Sequence, residues 1–397
     1  MDVERLKASF AAVASNGDQV PQYFYSYLFL THPGLRELFP VAMSAQRDKL
    51  VAALGRIVSG VDELDEVTPF VQSLGRDHRK FGVVADHYPQ VGEALLATLA
   101  YFAADAWTPE LAADWREAYA TVAQVMTAAA EQAADTGPPW WDAEVVAHDR
   151  RPGTSVAVVT ARPHTRLDYV PGQSVGVESQ LRPRVWRFYS PANAPRPDGS
   201  IELHVRASVN GHLSPALVHA LRVGDLLRLG APIGKRLTLD SDSDRDLLLV
   251  AGGTGLAPLK ALVEQVAADT AAGSPPRRVT LVCGARTGAD LYDQKALGHL
   301  NDAYPWLTVL TTVSDDPHHG GDRGTAIDLA LRAGRWVDHD IYVCGSAAMV
   351  AGTLTRLAGA GVAAERIHTE DSDPHQYNPS LAPRPAPVAA GSEASPR

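Results

Sequence analysis

Val250-Ala251-Gly252-Gly253-Thr254-Gly255-Leu256-Ala257-Pro258 is a buried-type strand that runs through glycines into a helix. Glycines let the backbone turn tightly and come close to a pyrophosphate. The helix that follows offers unpaired N–H groups and the positive end of its dipole. Gly252, Gly253, Thr254, Gly255 and Pro258 are therefore candidate nucleotide-binding residues; the bland alternative is a plain strand-to-helix turn. A second segment of the same kind, Val343-Cys344-Gly345-Ser346-Ala347-Ala348-Met349, favours the nucleotide reading. Ligands of parallel sheets sit at the carboxyl ends of the strands, which adds Cys344, Gly345 and Met349. Cys344 reads as a nicotinamide contact or as an ordinary buried thiol. Arg286, beyond the strand Val279–Val282, reads equally as a contact to a ribose or 2′-phosphate and as a solvated arginine.

Working outward, Leu247–Val250, Val279–Val282, Leu307–Leu310 and Ile341–Val343 are short apolar strands, with helical stretches such as Leu259–Ala268 and Ala347–Ala358 between or after them. This alternation predicts an α/β domain with a parallel sheet and helices on both faces. Upstream lies the charged turn Asp240–Asp246. Before it, short runs at Thr154–Thr160, Ser174–Glu178, Val185–Tyr189, Ile201–Arg206 and Leu226–Leu229 are separated by turns such as Val170-Pro171-Gly172-Gln173. That spacing predicts a small antiparallel barrel. Ahead of the junction Asp135-Thr136-Gly137-Pro138-Pro139 the pattern is helical. Val91, Leu95, Leu99 and Phe102 share one helix face, and Leu111, Trp115, Tyr119, Val122 and Met126 another. The expected division is 1–136 helical, 137–240 barrel, 241–376 α/β, and a disordered Pro/Ala/Ser-rich tail at 377–397.

Composition narrows the function. The 397 residues suit two or three domains, and 45% hydrophobic against 21% charged is ordinary for a packed protein. A net charge of −10 counts against nucleic acid as a partner, because no broad cationic surface is available to displace phosphate counterions. Two cysteines, Cys283 and Cys344, exclude a disulfide framework and a Cys-rich metal site and suit a reducing cytoplasm. The charged start MDVERLKASF is not a signal peptide, and no run of about 18 apolar residues predicts a membrane span.

Arg187-Phe188-Tyr189-Ser190 at a strand end resembles the Arg-x-Tyr-Ser signature of ferredoxin-NADP reductase-type flavoproteins, and Gly211-His212-Leu213-Ser214 resembles their second flavin-phosphate element. The resemblance implies FAD held by Arg187, Tyr189, Ser190, Gly211, Leu213 and Ser214, and a hydride from NADH or NADPH. The chemistry is coherent: a guanidinium forks onto a pyrophosphate, an aromatic ring packs on the flavin, and a hydroxyl hydrogen-bonds near the atom that receives the hydride. Glu370 matches the family's C-terminal Glu. The aromatic that follows it in relatives is replaced by Asp371-Ser372-Asp373, with Tyr377 as a substitute.

The helical domain resembles the globin of flavohemoglobins through Tyr23–Phe29, His32–Phe39, Gln46–Leu50, Gly75–Lys80 and Tyr88–Glu93. The resemblance implies haem b with His78 as the iron ligand, Phe39 and Leu50 in the haem pocket, Tyr25 and Gln46 on the distal side, and Tyr88 as a proximal partner. For the family's proximal Glu, Glu131 falls one position off, where Ala130 stands. The whole chain thus resembles a flavohemoglobin of the nitric oxide dioxygenase family: an all-α globin, an antiparallel FAD barrel, and an α/β NAD(P) domain. The implied activity is nitric oxide oxidation with O2 to nitrate, catalysed by Tyr25, Gln46 and Tyr88 around the iron, in a monomer. The alternatives are a globin-coupled reductase serving another electron acceptor or donor, and an oxygen- or ligand-binding sensor.

Overall fold

The computed structural model describes residues 1–370, the side chains of Leu64 and Glu66 excepted. The expectations for residues 371–373, Tyr377 and the tail at 377–397 lie outside the described residues.

Six α-helices form the first domain: α1 (Val3–Ala14), α2 (Gln19–Thr31), α3 (Ser44–Ser59), α4 (Leu64–His78), α5 (His87–Ala103) and α6 (Pro109–Ala134). The two helix faces read from the sequence turn inward: Leu95, Leu99, Leu111, Trp115 and Met126 are buried, with Val91, Phe102, Tyr119 and Val122 packed against them. Helix starts follow capping chemistry. Asp2 caps α1 through the Arg5 N–H, and Thr108 caps α6 through the Leu111 N–H with Pro109 in the first turn. Helices α4 and α6 cross in contact at Gly75, where a Cβ would lie 2.2 Å from the Met126 carbonyl oxygen.

The second domain comprises β1 (Trp141–Arg150), β2 (Val156–Pro163), β3 (Val175–Ser179), β4 (Arg187–Tyr189), β5 (Ile201–Arg206), the short helix α7 (Ser214–His219) and β6 (Leu226–Leu229). Its antiparallel order is β4-β3-β6-β1-β2-β5. The bridge Pro191↔Leu203 brings the end of β4 beside β5, so the sheet nearly closes. Ala143, Val145, Val177, Leu203 and Leu229 fill the interior.

The third domain comprises β7 (Leu247–Gly252), α8 (Leu256–Ala271), β8 (Val279–Ala285), α9 (Gln294–Ala303), β9 (Leu307–Val313), β10 (Asp322–Arg323), α10 (Ala326–Ala333), β11 (Asp340–Cys344), α11 (Ala347–Gly359) and β12 (Ile367–Thr369). The sheet is parallel, in the order β10-β9-β8-β7-β11-β12. Alternation along β7 shows why both faces are covered. Leu247, Leu249 and Ala251 pack with α8 and α9, while Leu248 and Val250 pack with α10 and α11. Strand order reverses at β7, between β8 and β11, and a crevice at the carboxyl ends of the strands follows from that topology.

Candidate active site

The crevice is where the sequence motifs converge. β7 and β11 run in register with Ala251 opposite Cys344. Gly253 sits at φ +55°, and a Cβ on Gly255 would come 2.3 Å from the Cys344 carbonyl oxygen, so both positions require glycine. Ser346 caps α11 by accepting from the Met349 N–H. Gly252, Gly253, Thr254, Gly255, Pro258, Arg286, Cys344, Gly345 and Met349 all border one cavity of about 650 Å³, which also takes in Tyr189, Ser190 and Glu370. This open, glycine-floored space fits a dinucleotide. Sequence reasoning missed Arg206, at the end of β5. Its Nη2 would lie 3.4 Å from a Cβ on Gly253, and its buried Nε has no hydrogen-bond partner. Its Nη2 also lies 3.8 Å from Asp290 Oδ1, so the guanidinium is partly satisfied, and the remaining donor capacity over a glycine turn suits a phosphate. In sequence it is a lone arginine closing a predicted strand, with no motif around it.

On the barrel side, Ser190 Oγ lies 2.9 Å from Ser174 Oγ and donates to Glu370 Oε1 at 3.2 Å. Burial, reinforced by the Glu370 charge, pushes the Cys344 thiol well above its ordinary pKa. Ser190, Cys344 and Glu370 thus meet from three separate places in the chain. Burial pushes the Tyr189 phenol up to about 12 against the opposing pull of Arg187. Arg187 is exposed and donates through Nη1 to the Trp186 carbonyl at 2.8 Å. Gly211 and Ser214 form a tight turn into α7: a Cβ on Gly211 would come 2.7 Å from Ser214 Oγ, which accepts from the Ser208 N–H. Gly211, Leu213 and Ser214 do not border the 650 Å³ cavity. Leu213 is a core residue, with its side chain 1% exposed among the barrel strands, so only its main chain can meet a ligand.

In the helical domain, His78 ends α4, and its Nδ1 lies 2.7 Å from the Leu74 carbonyl. A carbonyl only accepts, so Nδ1 carries the proton and Nε2 the lone pair, the tautomer a metal-binding imidazole needs. The surrounding core is incompletely closed for an apolar domain. It divides into one cluster around Phe24, Tyr25, Leu28 and Leu95 and another around Val67, Phe70, Leu74 and Met126. Sixteen-residue α3 fully buries only Val58, leaving Leu50, Leu54 and Ile57 half-buried. A flat apolar group such as haem fits that deficit. Phe39 packs edge-on against Tyr25 at 5.5 Å. The Tyr25 hydroxyl, in a side chain 5% exposed, reaches only the Gln46 main-chain carbonyl among the described residues, at 3.4 Å. That is long for an O–H···O bond. The half-buried Tyr88 accepts through its carbonyl from the Tyr119 hydroxyl. Glu131 lies on the exposed face of α6 while Ala130 is half-buried beside buried Ala129, so no carboxylate reaches inward from that turn.

The comparisons agree domain by domain. Residues 22–126 match the globin family, 143–237 the oxidoreductase FAD-binding domain, and 249–355 the oxidoreductase NAD-binding domain. A flavohemoprotein of Rhizobium meliloti (strain 1021) is 27% identical over 402 residues, covering 94% of this chain and 97% of that one. One of Bacillus subtilis (strain 168) is 26% identical, covering 93% and 96%. The crystal structure of a flavohemoglobin from Malassezia yamatoensis with bound FAD and heme shares the fold at a TM-score of 0.73 and 18% identity, covering 93% and 97%. With a globin, an FAD-binding barrel and an NAD-binding domain in that order over nearly its whole length, the chain has the architecture of the flavohemoglobins.

Proposed function

We propose that this oxidoreductase consumes nitric oxide and O2 at the expense of NAD(P)H and releases nitrate. When bound, the cofactors supply hydride acceptance, one-electron delivery and an iron able to take a diatomic ligand. The chain's residues account for the rest. The glycine turns at 252–255 and 345, with Arg206 above them, hold the dinucleotide phosphates. Ser190, Glu370 and Cys344 line the crevice where nicotinamide and flavin would meet, Tyr189 would offer its ring to the flavin, and Arg187 would serve its phosphates. His78 offers Nε2 to iron, and Phe39 and Leu50 wall the pocket. The observation that carries the reading is Tyr25: a hydroxyl buried in an apolar core with one overlong partner is poised to hydrogen-bond an incoming polar guest. Gln46, whose carbonyl faces that hydroxyl, is its distal neighbour.

The test is nitric oxide consumption by purified holoenzyme with NADH and with NADPH, in air and without oxygen. Oxygen-dependent consumption yielding nitrate is expected, and His78→Ala should lose the Soret band while retaining flavin absorbance. Undiminished anaerobic consumption would overturn the dioxygenase reading in favour of a reductase serving another acceptor.

A further inference from the structure

Lys80 lies in the turn Arg79–Phe81, two residues beyond His78, and is only 8% exposed. Lysine is almost never buried this far unless it is paired. Its ammonium is ion-paired with Asp77. It also stands 5.2 Å from the ring centroid of Phe81, 5.5 Å from that of Trp186 and 4.8 Å from that of Phe188. Asp77 and Phe81 belong to the globin, whereas Trp186 and Phe188 belong to the barrel. One side chain therefore bridges the two domains.

The barrel is shaped to receive it. The Gly230 N–H donates to the Gly176 carbonyl at 2.7 Å, and neither residue puts a side chain in the way. A Cβ on Gly176 would lie 3.6 Å from the lysine Nζ, and one on Gly230 3.7 Å from its Cδ, ordinary contact distances that show how closely the lysine packs on this strand pair. The stem rests in a groove floored by backbone, and its head is faced by aromatic rings, a desolvated setting in which cation–π attraction is at its strongest. Phe81 and Trp186 also meet edge-on at 6.3 Å, extending the contact.

We propose that Lys80 is the positioning residue that seats the globin on the flavin barrel for electron transfer between them. The inference rests on the reading that His78 holds haem and β4 faces the flavin. Lys80 shares a turn with His78, and it grips Trp186 and Phe188 on either side of Arg187, Phe188 directly preceding Tyr189. In each transfer one electron leaves the reduced flavin and one ferric iron becomes ferrous, and the hydride of one nicotinamide serves two transfers. Lys80 exchanges neither proton nor electron. It sets separation and orientation, on which the transfer rate depends steeply.

The test mixes Lys80→Met holoenzyme anaerobically with NADH or NADPH and follows flavin bleaching and haem reduction as separate optical signals. Flavin bleaching at the parental rate is expected, with haem reduction slower by about tenfold or more, the scale of cost for a small misplacement of reacting partners. Small-angle X-ray scattering of the same protein should show a larger radius of gyration. Lys80→Arg, which keeps the charge and stacks on aromatic rings, should restore both. Should Lys80→Met not fold, Trp186→Leu breaks the same contact from the barrel side. Haem reduction at the parental rate, or equal slowing of both signals, overturns the proposal. A parent protein whose flavin bleaches while its haem never reduces overturns instead the haem–flavin reading beneath it.

Discussion

At the residue scale the two cysteines differ in surroundings but not in reactivity. Burial and the nearby Asp293 charge push the Cys283 thiol up to about 12, and burial with the Glu370 charge pushes Cys344 well above its ordinary value. The thiolate is the nucleophile, so neither should react at pH 8. An aromatic disulfide reagent should find no fast thiol in the native protein and two after denaturation. Glu370→Gln removes a charge that opposes ionisation of Cys344 and should speed its reaction alone; a fast native thiol in the parent would contradict this. The sequence placed Cys344 at a strand end, and its neighbourhood was legible because Gly345 and Ser346 follow directly. The partnership with Ser190 and Glu370 was not derivable from spacing, since those residues directly follow β4 and β12, strands of two different domains. Arg206 was invisible for a related reason: its meaning lies in facing Gly253 across a domain boundary.

At the element scale, the crossing of α4 and α6 depends on one missing side chain. Gly75→Ala would gain helix propensity of about 1 kcal/mol. The new Cβ, however, would sit 2.2 Å from the Met126 carbonyl oxygen and 2.7 Å from its Cα. Backbone cannot rotate away, so the helices must part, and overpacking of this kind costs about 1–3 kcal/mol. The clash wins. His78 is one turn further along α4, so the variant should lose haem more readily on dilution while its flavin absorbance stays constant. Parental haem retention would show that the crossing relaxes elsewhere. Elements with strong periodicity were legible: Ile201–Arg206 and Leu226–Leu229 stand as read, and α11 extends one residue past the expected Ala358. The ten-residue β1 was hidden by its composition. Its inward positions include the small Ala143 beside Val145, charged residues occupy the outward ones, and an irregularity between Val145 and Ala147 breaks the alternation. The edge strands β10 and β12 are two and three residues long, too short for any period.

At the scale of the whole molecule, the barrel and the α/β domain are joined by a buried polar network. Glu202 and His204 lie on β5, Lys260 on α8, Tyr292 and Asp293 just before α9, and Arg151 after β1. The Tyr292 hydroxyl can donate to His204 Nδ1 at 2.8 Å, leaving Nε2 to donate to Glu202 Oε1 at 3.0 Å, which also accepts from Lys260 Nζ at 2.6 Å. Arg151 Nη2 donates to Asp293 at 2.7 Å. Burial alone would raise the Glu202 carboxyl, but the His204 hydrogen bond and the Lys260 charge outweigh it and hold Glu202 far below its ordinary value. Burial likewise lowers His204, which favours its neutral form. The sign follows from proton linkage. A carboxylate depressed in the folded state stabilises it fully above the unfolded pKa of about 4.3, and that contribution drains away as pH falls toward the folded value. Lys260→Met removes the nearer of the two cations on the largely buried Glu202 and leaves Arg196 at 3.4 Å, so the cost is up to about 3–5 kcal/mol, the scale for removing one partner of a buried pair. The cavity at the carboxyl ends of the parallel strands, proposed above for nicotinamide and flavin, spans this boundary, with His204 and Arg206 on one wall and the glycine turns on the other. Nicotinamide-driven flavin reduction in Lys260→Met should therefore fail at a higher pH than in the parent, while the Soret band of the distant globin titrates unchanged. Coincident acid profiles for flavin reduction in the two proteins would mean that the network merely packs the interface and that the ionisation of Glu202 does not hold the two domains together.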